Sequence, residues 1–195
     1  MRAASFAAAP NMMRELLKKV LHVLLGDYHF WVVYSMDLPQ APGALPKGVT
    51  VQPVTRDILL QARDPGLRAR ASFDGSESAG FGLYVEGELA VVQWFWWGDR
   101  YWKEREGRSW ILGSDEVKSL GLYTVPAFRG QGYATLLKRY TAHEMGMRGF
   151  TRVYSRIWHS HRHSIDVSRK AGWRKVGSYI EIVPFGRRIE LRLPF

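Results

Sequence analysis

Cysteine is absent from all 195 residues. Its absence excludes a disulfide framework, a thiolate nucleophile and any thiolate metal site. It is compatible with a cytoplasmic location, the expected compartment, without requiring one. Acids are scarce: 18 Asp and Glu stand against 28 Lys and Arg, a net charge of +10. Such an excess favours an anionic cofactor or a polyanion. The basic residues are dispersed, and no helix-turn-helix, zinc-finger or RNA-recognition signature accompanies them, so nucleic acid is not the expected partner. A long apolar run is also missing. The stretch Met12–Leu25 is cut by Arg14, Glu15, Lys18, Lys19 and His22, too short and too interrupted to span a bilayer. With those charges and no small-residue cleavage site, the stretch does not read as a signal peptide either.

What remains reads as one globular domain, 46% hydrophobic and 24% charged. Leu16, Leu17, Val20, Leu21 and Leu24 fall on one face of a helix over 12–25, ended by Gly26. Residues 1–26 are therefore set apart as an amphipathic extension, and 27–195 as the domain. The extension has three readings: docking on its own domain, self-association into a homodimer, or contact with an anionic membrane surface.

Tyr28 to Leu38 is rich in aromatic and β-branched residues and reads as a strand. Val49 to Val54 alternates as a second, and Thr55-Arg56-Asp57 caps a helix to about Ala62. Ser76–Gly80 reads as a small-residue loop. Phe81–Val85 and Leu89–Trp97 read as a hairpin around Glu86-Gly87. Gly98–Ser114 is a long charged and aromatic insertion, and such irregular segments are often functional. Val117–Val125 is a strand, Tyr133 to about Arg148 a helix, Thr151–Trp158 a strand, Ser164–Ala171 a short helix, and 173–182 and 188–193 the last strands.

The richest stretch follows strand 117–125: Val125-Pro126-Ala127-Phe128-Arg129-Gly130-Gln131-Gly132-Tyr133-Ala134-Thr135. Gly130 and Gly132 carry no side chain to block a ligand, and the first N–H groups of the next helix lack partners within it. With the helix dipole they make an anion cradle suited to a pyrophosphate. The Gly-Lys-Ser/Thr ending of a nucleotide P-loop is absent, as are the third glycine and acidic residue of a dinucleotide fold.

The pattern Arg129-x-x-Gly132-x-Ala134 resembles the coenzyme A loop of the GNAT acyltransferase superfamily, Gln/Arg-x-x-Gly-x-Gly/Ala. His161 to Trp173 is similar to its second motif, in which Asn-x-x-Ser opens a short helix ending in Lys-x-Gly-Phe: Ser164, Ile165, Lys170 and Gly172 match, and Trp173 takes the aromatic place. The element order from Val49 onward is also that of the superfamily, preceded by an extra helix and strand. The resemblance implies an α/β (α+β) fold, a mixed, twisted sheet with helices on both faces, whose strands 117–125 and 151–158 splay apart beside a bulge. It implies acetyl-CoA or another acyl-CoA as co-substrate, bound by Leu122, Tyr123, Thr124, Arg129, Gly130, Gln131, Gly132, Tyr133, Ala134, Thr135 and His161, with the pantetheine arm pairing to the backbone of Leu122 and Thr124. The implied reaction is direct attack of a small-molecule or peptide amine on the thioester; a non-catalytic ligand- or partner-binding module is the alternative.

The chain departs from the family at its acid and base. The position of the family's acid, a tyrosine, is Ser168, and that of a glutamate base is Arg156. Tyr154 and Glu116 are the substitutes considered for acid and base. Arg156 and Trp158 share a strand face with Tyr154 and are assigned to the acceptor, Arg156 either holding an acidic group or lying over an aromatic ring. Trp94, Phe95, Trp96 and Trp97 make both faces of one strand aromatic; one face is expected in the core, and Trp96 on an acceptor wall continued by the 98–114 insertion. The insertion also reads as an outward lid or a dimer contact. His159, His161 and His163 alternate, but only Asp166 is near to complete a ligand set, so no metal is expected.

Overall fold

A computed structural model describes residues 28–104, 110–184 and 187–193. The expected helix at 12–25, the division at 26/27 and the middle of the insertion lie outside these residues.

The strands are β1 (Tyr28–Asp37), β2 (Val49–Val54), β3 (Ser78–Val85), β4 (Glu88–Trp96), β5 (Glu116–Thr124), β6 (Arg152–Trp158), β7 (Arg174–Ile182) and β8 (Ile189–Leu193). They form one sheet in the order β2-β3-β4-β5-β6-β1-β7-β8. The helices are α1 (Arg56–Leu60), α2 (Pro65–Arg68), α3 (Gly98–Glu104), α4 (Tyr133–Met147) and α5 (Arg162–Lys170).

Alternation along the strands sorts side chains between two layers. Val32, Tyr34, Met36, Val117, Val153 and Ile157 point to one face and pack with Leu137, Ala142 and Met145 of α4. On the other face α1 and α2 contribute Leu59 and Leu67 against Val54, Val92 and Trp94. Tyr101 of α3 and Leu112 pack there against Val33, Trp96, Tyr154 and Tyr179. Helices thus cover both faces.

Local chemistry explains most element ends. Asp64 caps α2 by accepting from the Leu67 N–H at 3.0 Å, with Pro65 preset at the first turn. Glu86 and Gly87 both take positive φ, 47° and 82°, the form of a two-residue hairpin turn. Two expectations are corrected. Ser78–Gly80 belongs to β3 and not to a loop: a Cβ on Gly80 would stand 2.7 Å from the Trp94 ring, so small residues are what the packing requires. Residues 98–104 are helical, which their single buried residue, Tyr101, gives no period to reveal. The extra strand β1 lies inside the sheet, antiparallel to both β6 and β7.

Among the described residues, strands β5 and β6 are the one parallel pair, and they are joined only from Glu116↔Arg152 to Ser119↔Ser155. Beyond Ser119, β5 keeps its β4 partner alone. There the register skips: Val92 faces Tyr123 and Trp94 faces Leu120, so Gly121 and Leu122 together oppose Gln93. This is a β-bulge, and Gly121 carries it at φ 62° with Phe73 2.7 Å from where a Cβ would be. Gly121→Val should lower stability by about 2–3 kcal/mol in chemical denaturation, because both the left-handed backbone and the Phe73 contact must yield.

Candidate functional site

The cleft starts where pairing stops. Its closed end is polar: Ser119 and Ser155 are buried, the Gln93 amide donates to Ser119 Oγ at 2.7 Å, and the Thr141 hydroxyl donates to Gln93 Oε1 at 3.2 Å. One wall is the free edge of β5 and the other is β6 from Arg156 to Trp158. At the far end of β5 the chain makes one 3-10 turn, Pro126–Phe128, and enters the glycine loop.

Gly130 and Gly132 take φ of 78° and 82°, and a Cβ on either would meet nothing within 4 Å. Their lack of side chains is therefore a matter of backbone conformation and of open approach. Gly132 caps α4 without any side-chain oxygen, and Leu136 is the first helical residue whose N–H is taken, by the Gly132 carbonyl at 3.1 Å. The N–H groups of the first turn are left to a ligand. Arg129 does not point away from the loop. Its Nε donates to the Thr124 carbonyl at 3.1 Å and its guanidinium lies 5.9 Å from the Tyr123 ring centroid. It fastens the loop to the end of β5, and one backbone group expected to meet the pantetheine arm is already engaged. The Gln131 amide donates to the Ala127 carbonyl at 3.3 Å, tightening the same turn. Tyr133, Ala134 and Thr135 open α4, and His161 is the exposed residue that precedes α5.

The proposed acid and base are brought together, but at the closed end. The Tyr154 hydroxyl donates to Glu116 Oε1 at 3.1 Å, Arg152 lies 3.5 Å from the same oxygen, and the Gly113 N–H donates to Glu116 Oε2 at 2.9 Å. Both residues sit where β5 and β6 are still paired, and Trp110 covers Tyr154 with ring centroids 5.1 Å apart. Burial pushes the Tyr154 hydroxyl above its ordinary value, which keeps it protonated. The arrangement is that of a brace between two strands and the 110–116 turn. Trp96 is similarly enclosed: 7% exposed, its indole N–H donates to the Phe73 carbonyl at 2.8 Å and Arg100 lies over its ring. It belongs to the core and not to an open wall.

Arg156 and Trp158 do share a face, as their spacing implies. The Arg156 guanidinium lies 4.1 Å from the Trp31 ring centroid and donates to the Tyr179 hydroxyl at 3.2 Å. Trp158 meets Trp31 edge-on at 5.2 Å and His29 at 5.0 Å. Sequence reasoning had no means to find Trp31, His29 and Tyr179, because they come from β1, which pairs with β6, and from β7 on the far side of β1, neighbours that only the fold sets.

Ser168 is 1% exposed and accepts a hydrogen bond from Lys138 Nζ at 3.1 Å while donating to the Ser164 carbonyl. Lys138 is itself 2% exposed, and its ammonium sits 3.7 Å from the Trp173 ring centroid. Burial lowers its pKa from 10.5 to about 7. Between those values the unfolded chain holds a proton that the folded chain does not, so this residue makes stability rise with pH from about 7 towards 10.5. Below about 7 its cost is complete, offset in part by the indole and the Ser168 hydroxyl. Lys138→Met should raise stability by about 2 kcal/mol at pH 6, and the gain should shrink as the pH approaches 10. Thermal melts of both proteins across that range check it.

No family model matches the chain, and no curated protein does. Its fold is nevertheless shared with solved structures. One is a GCN5-related N-acetyltransferase from Sphaerobacter thermophilus, with a TM-score of 0.57 and 14% identity over 94% of this chain and 59% of that one. Another is a GNAT-family acetyltransferase from Colwellia psychrerythraea, at 0.57 and 16% over 90% and 62%. A GCN5-related N-acetyltransferase from Kribbella flavida gives 0.54 and 12% over 91% and 65%. The chain thus has the GNAT fold, and it spans about three fifths of the length of these structures. No helix among the described residues is long and apolar enough to cross a membrane.

Proposed function

We propose that the chain is a GNAT-type acyltransferase that moves an acetyl or other acyl group from acyl-CoA to an amine. The observation that carries this reading is the open cradle at Gly130–Gly132, set at the end of the one strand that parts from its neighbour. A pyrophosphate suits the unpaired first-turn N–H groups of α4, and the net charge of +10 favours the polyanion at longer range. The free edge of β5 then offers backbone partners to the pantetheine arm, which would bring the thioester towards Ser119 and Ser155.

The thioester is an activated donor, so alignment of the amine and polarisation of the carbonyl by backbone N–H groups account for most of the chemistry. Glu116 and Tyr154 serve as a brace in this reading. Glu116→Gln should lower stability by about 1–2 kcal/mol and leave acetyl-CoA affinity unchanged, since it loosens Gly113, Tyr154 and Arg152 at the closed end.

Calorimetric titration with acetyl-CoA and desulfo-CoA is the direct test. Binding in the micromolar range is expected for the parent, and Gly132→Trp should abolish it while the fold is retained at a cost of about 1–2 kcal/mol from the left-handed backbone, because an indole there blocks the approach to the backbone at a position with no protein neighbour within 4 Å. Absence of binding at millimolar ligand would remove the enzyme reading.

A second reading, a non-catalytic acyl-CoA-binding module, is favoured by one observation. Ser168 and Arg156 occupy the places of the family's acid and base, and both are tied into internal contacts. Thiol release from acetyl-CoA over a panel of amines separates the two: tight binding without turnover on any amine supports the module.

A further inference from the structure

Seven buried side-chain polar atoms lack a hydrogen-bond partner among the described residues, and three of them lie together: His29 Nδ1, Trp31 Nε1 and Glu181 Oε2. Unsatisfied buried polar atoms are rare and each costs stability. Their clustering marks a place where an added hydrogen-bonding group fits.

The cluster is on the sheet face opposite α4. His29 stands directly across from Glu181, and Trp31 across from Tyr179, so all four side chains share that face. Trp158 closes it edge-on to both His29 and Trp31. Because β1 runs antiparallel to β6, the start of β1 lies beside the end of β6, at the mouth of the cleft and not at its braced end. Trp110 and α3 cover the same face further down, over Tyr154 and Gly177.

Glu181 is the chemically decisive member. It is 3% exposed, and a carboxylate buried to that degree is costly unless both oxygens are served. The Arg188 guanidinium reaches Oε1 at 3.3 Å and leaves Oε2 without a partner among the described residues. We infer that Glu181 Oε2 receives the N–H of a primary amine whose apolar part rests against Trp158, so that this cluster is the acceptor subsite. The word acceptor rests on the acyltransferase reading; the amine subsite does not. Arg156 and Arg188 disfavour a permanent cation here. The class is therefore an amine that can release its proton and not a quaternary ammonium, and an amine is preferred to an alcohol because it has a second N–H for His29 Nδ1, across from Glu181. Such a site holds the nitrogen as a nucleophile beside the thioester, with Glu181 as its positioning residue.

The test uses the full chain, with benzylamine as probe and benzyl alcohol and benzyltrimethylammonium as controls. Indole N–H signals of the 15N-labelled protein are followed with and without saturating desulfo-CoA. Benzylamine should shift the signals of Trp31 and Trp158, and both controls should bind at least tenfold more weakly. Glu181→Gln should weaken benzylamine at least tenfold and leave acetyl-CoA titrations unchanged. Should that variant fail to fold, Trp158→Ala at the half-buried strand end should weaken benzylamine at least fivefold. Equal affinity for amine and alcohol, shifts confined to other tryptophans, unchanged affinity in the variants, or no benzylamine binding at millimolar concentration each overturn the subsite. Benzylamine binding in a protein that ignores acetyl-CoA would instead sink the acyltransferase reading and keep the subsite.

Discussion

Everything that makes a site in this molecule follows from two strands that are allowed to pair for four residues and no more. A parallel pair left open mid-strand exposes backbone donors and acceptors, which ordinarily must be satisfied. The chain secures the parting from both sides. On the β5 side, Gly121 and the bulge turn the strand towards β4, and Arg129 ties its end into the glycine loop. On the β6 side, β1 supplies a full antiparallel partner from Trp31↔Trp158 to Asp37↔Arg152. Below the opening, Glu116, Tyr154, Arg152 and Asp37 lock the two strands and β1 together, with Arg152 Nε 2.9 Å from Asp37 Oδ1. The opening is thus held by rigid elements, which is where a bound co-substrate benefits from preorganisation.

Placing β1 inside the sheet has a second effect. Its residues separate β6 from β7, so the side-chain cluster on that face draws on three strands far apart in sequence. Position 29 meets position 181 only through this arrangement. The strand that looks like an addition to the domain is the one that supplies Trp31 and His29 to the cleft mouth, and it does so because its first residues lie against the last residues of β6.

Legibility in the sequence divides along the same line. Features set by neighbours in the chain could be read directly. The Glu86-Gly87 turn needs two positive φ values, the Asp64-Pro65 start needs a cap and a preset φ, and the cradle needs Gly130 and Gly132 between a strand and a helix. The splay was an implication of family resemblance, and its physical agent, Gly121, was not singled out: one glycine in a strand is a weak sign without knowledge of Phe73 beside it. Helix α3 has one buried side chain and so no period to detect. Trp96 was assigned outward because alternation gives two faces without saying that both are covered. Glu181 was passed over because nothing local distinguishes a buried acid on a strand from an exposed one; burial comes from β1 and Arg188.

In the acyltransferase reading, Ser168 and Arg156, at the positions of the resembled family's acid and base, bear on how little side-chain chemistry such a reaction demands. Ser168 is held between Lys138 and the Ser164 carbonyl, and Arg156 between Trp31 and Tyr179. Both are parts of the packing, and a hydroxyl or guanidinium fixed in this way is a poor proton carrier. Lys138 and Ser168 form a matched set: a small residue on α5 leaves room for an ammonium from α4, and the Trp173 ring makes that ammonium tolerable in a dry place. An acyl thioester needs no covalent enzyme intermediate, and a thiolate is a far better leaving group than an alkoxide. A site that only aligns an amine, removes its competing water and offers backbone N–H groups to the carbonyl can work through proximity. The buried carboxylate of Glu181, in the amine subsite inferred above, fits that economy: it would hold the nitrogen in place while backbone groups serve the thioester.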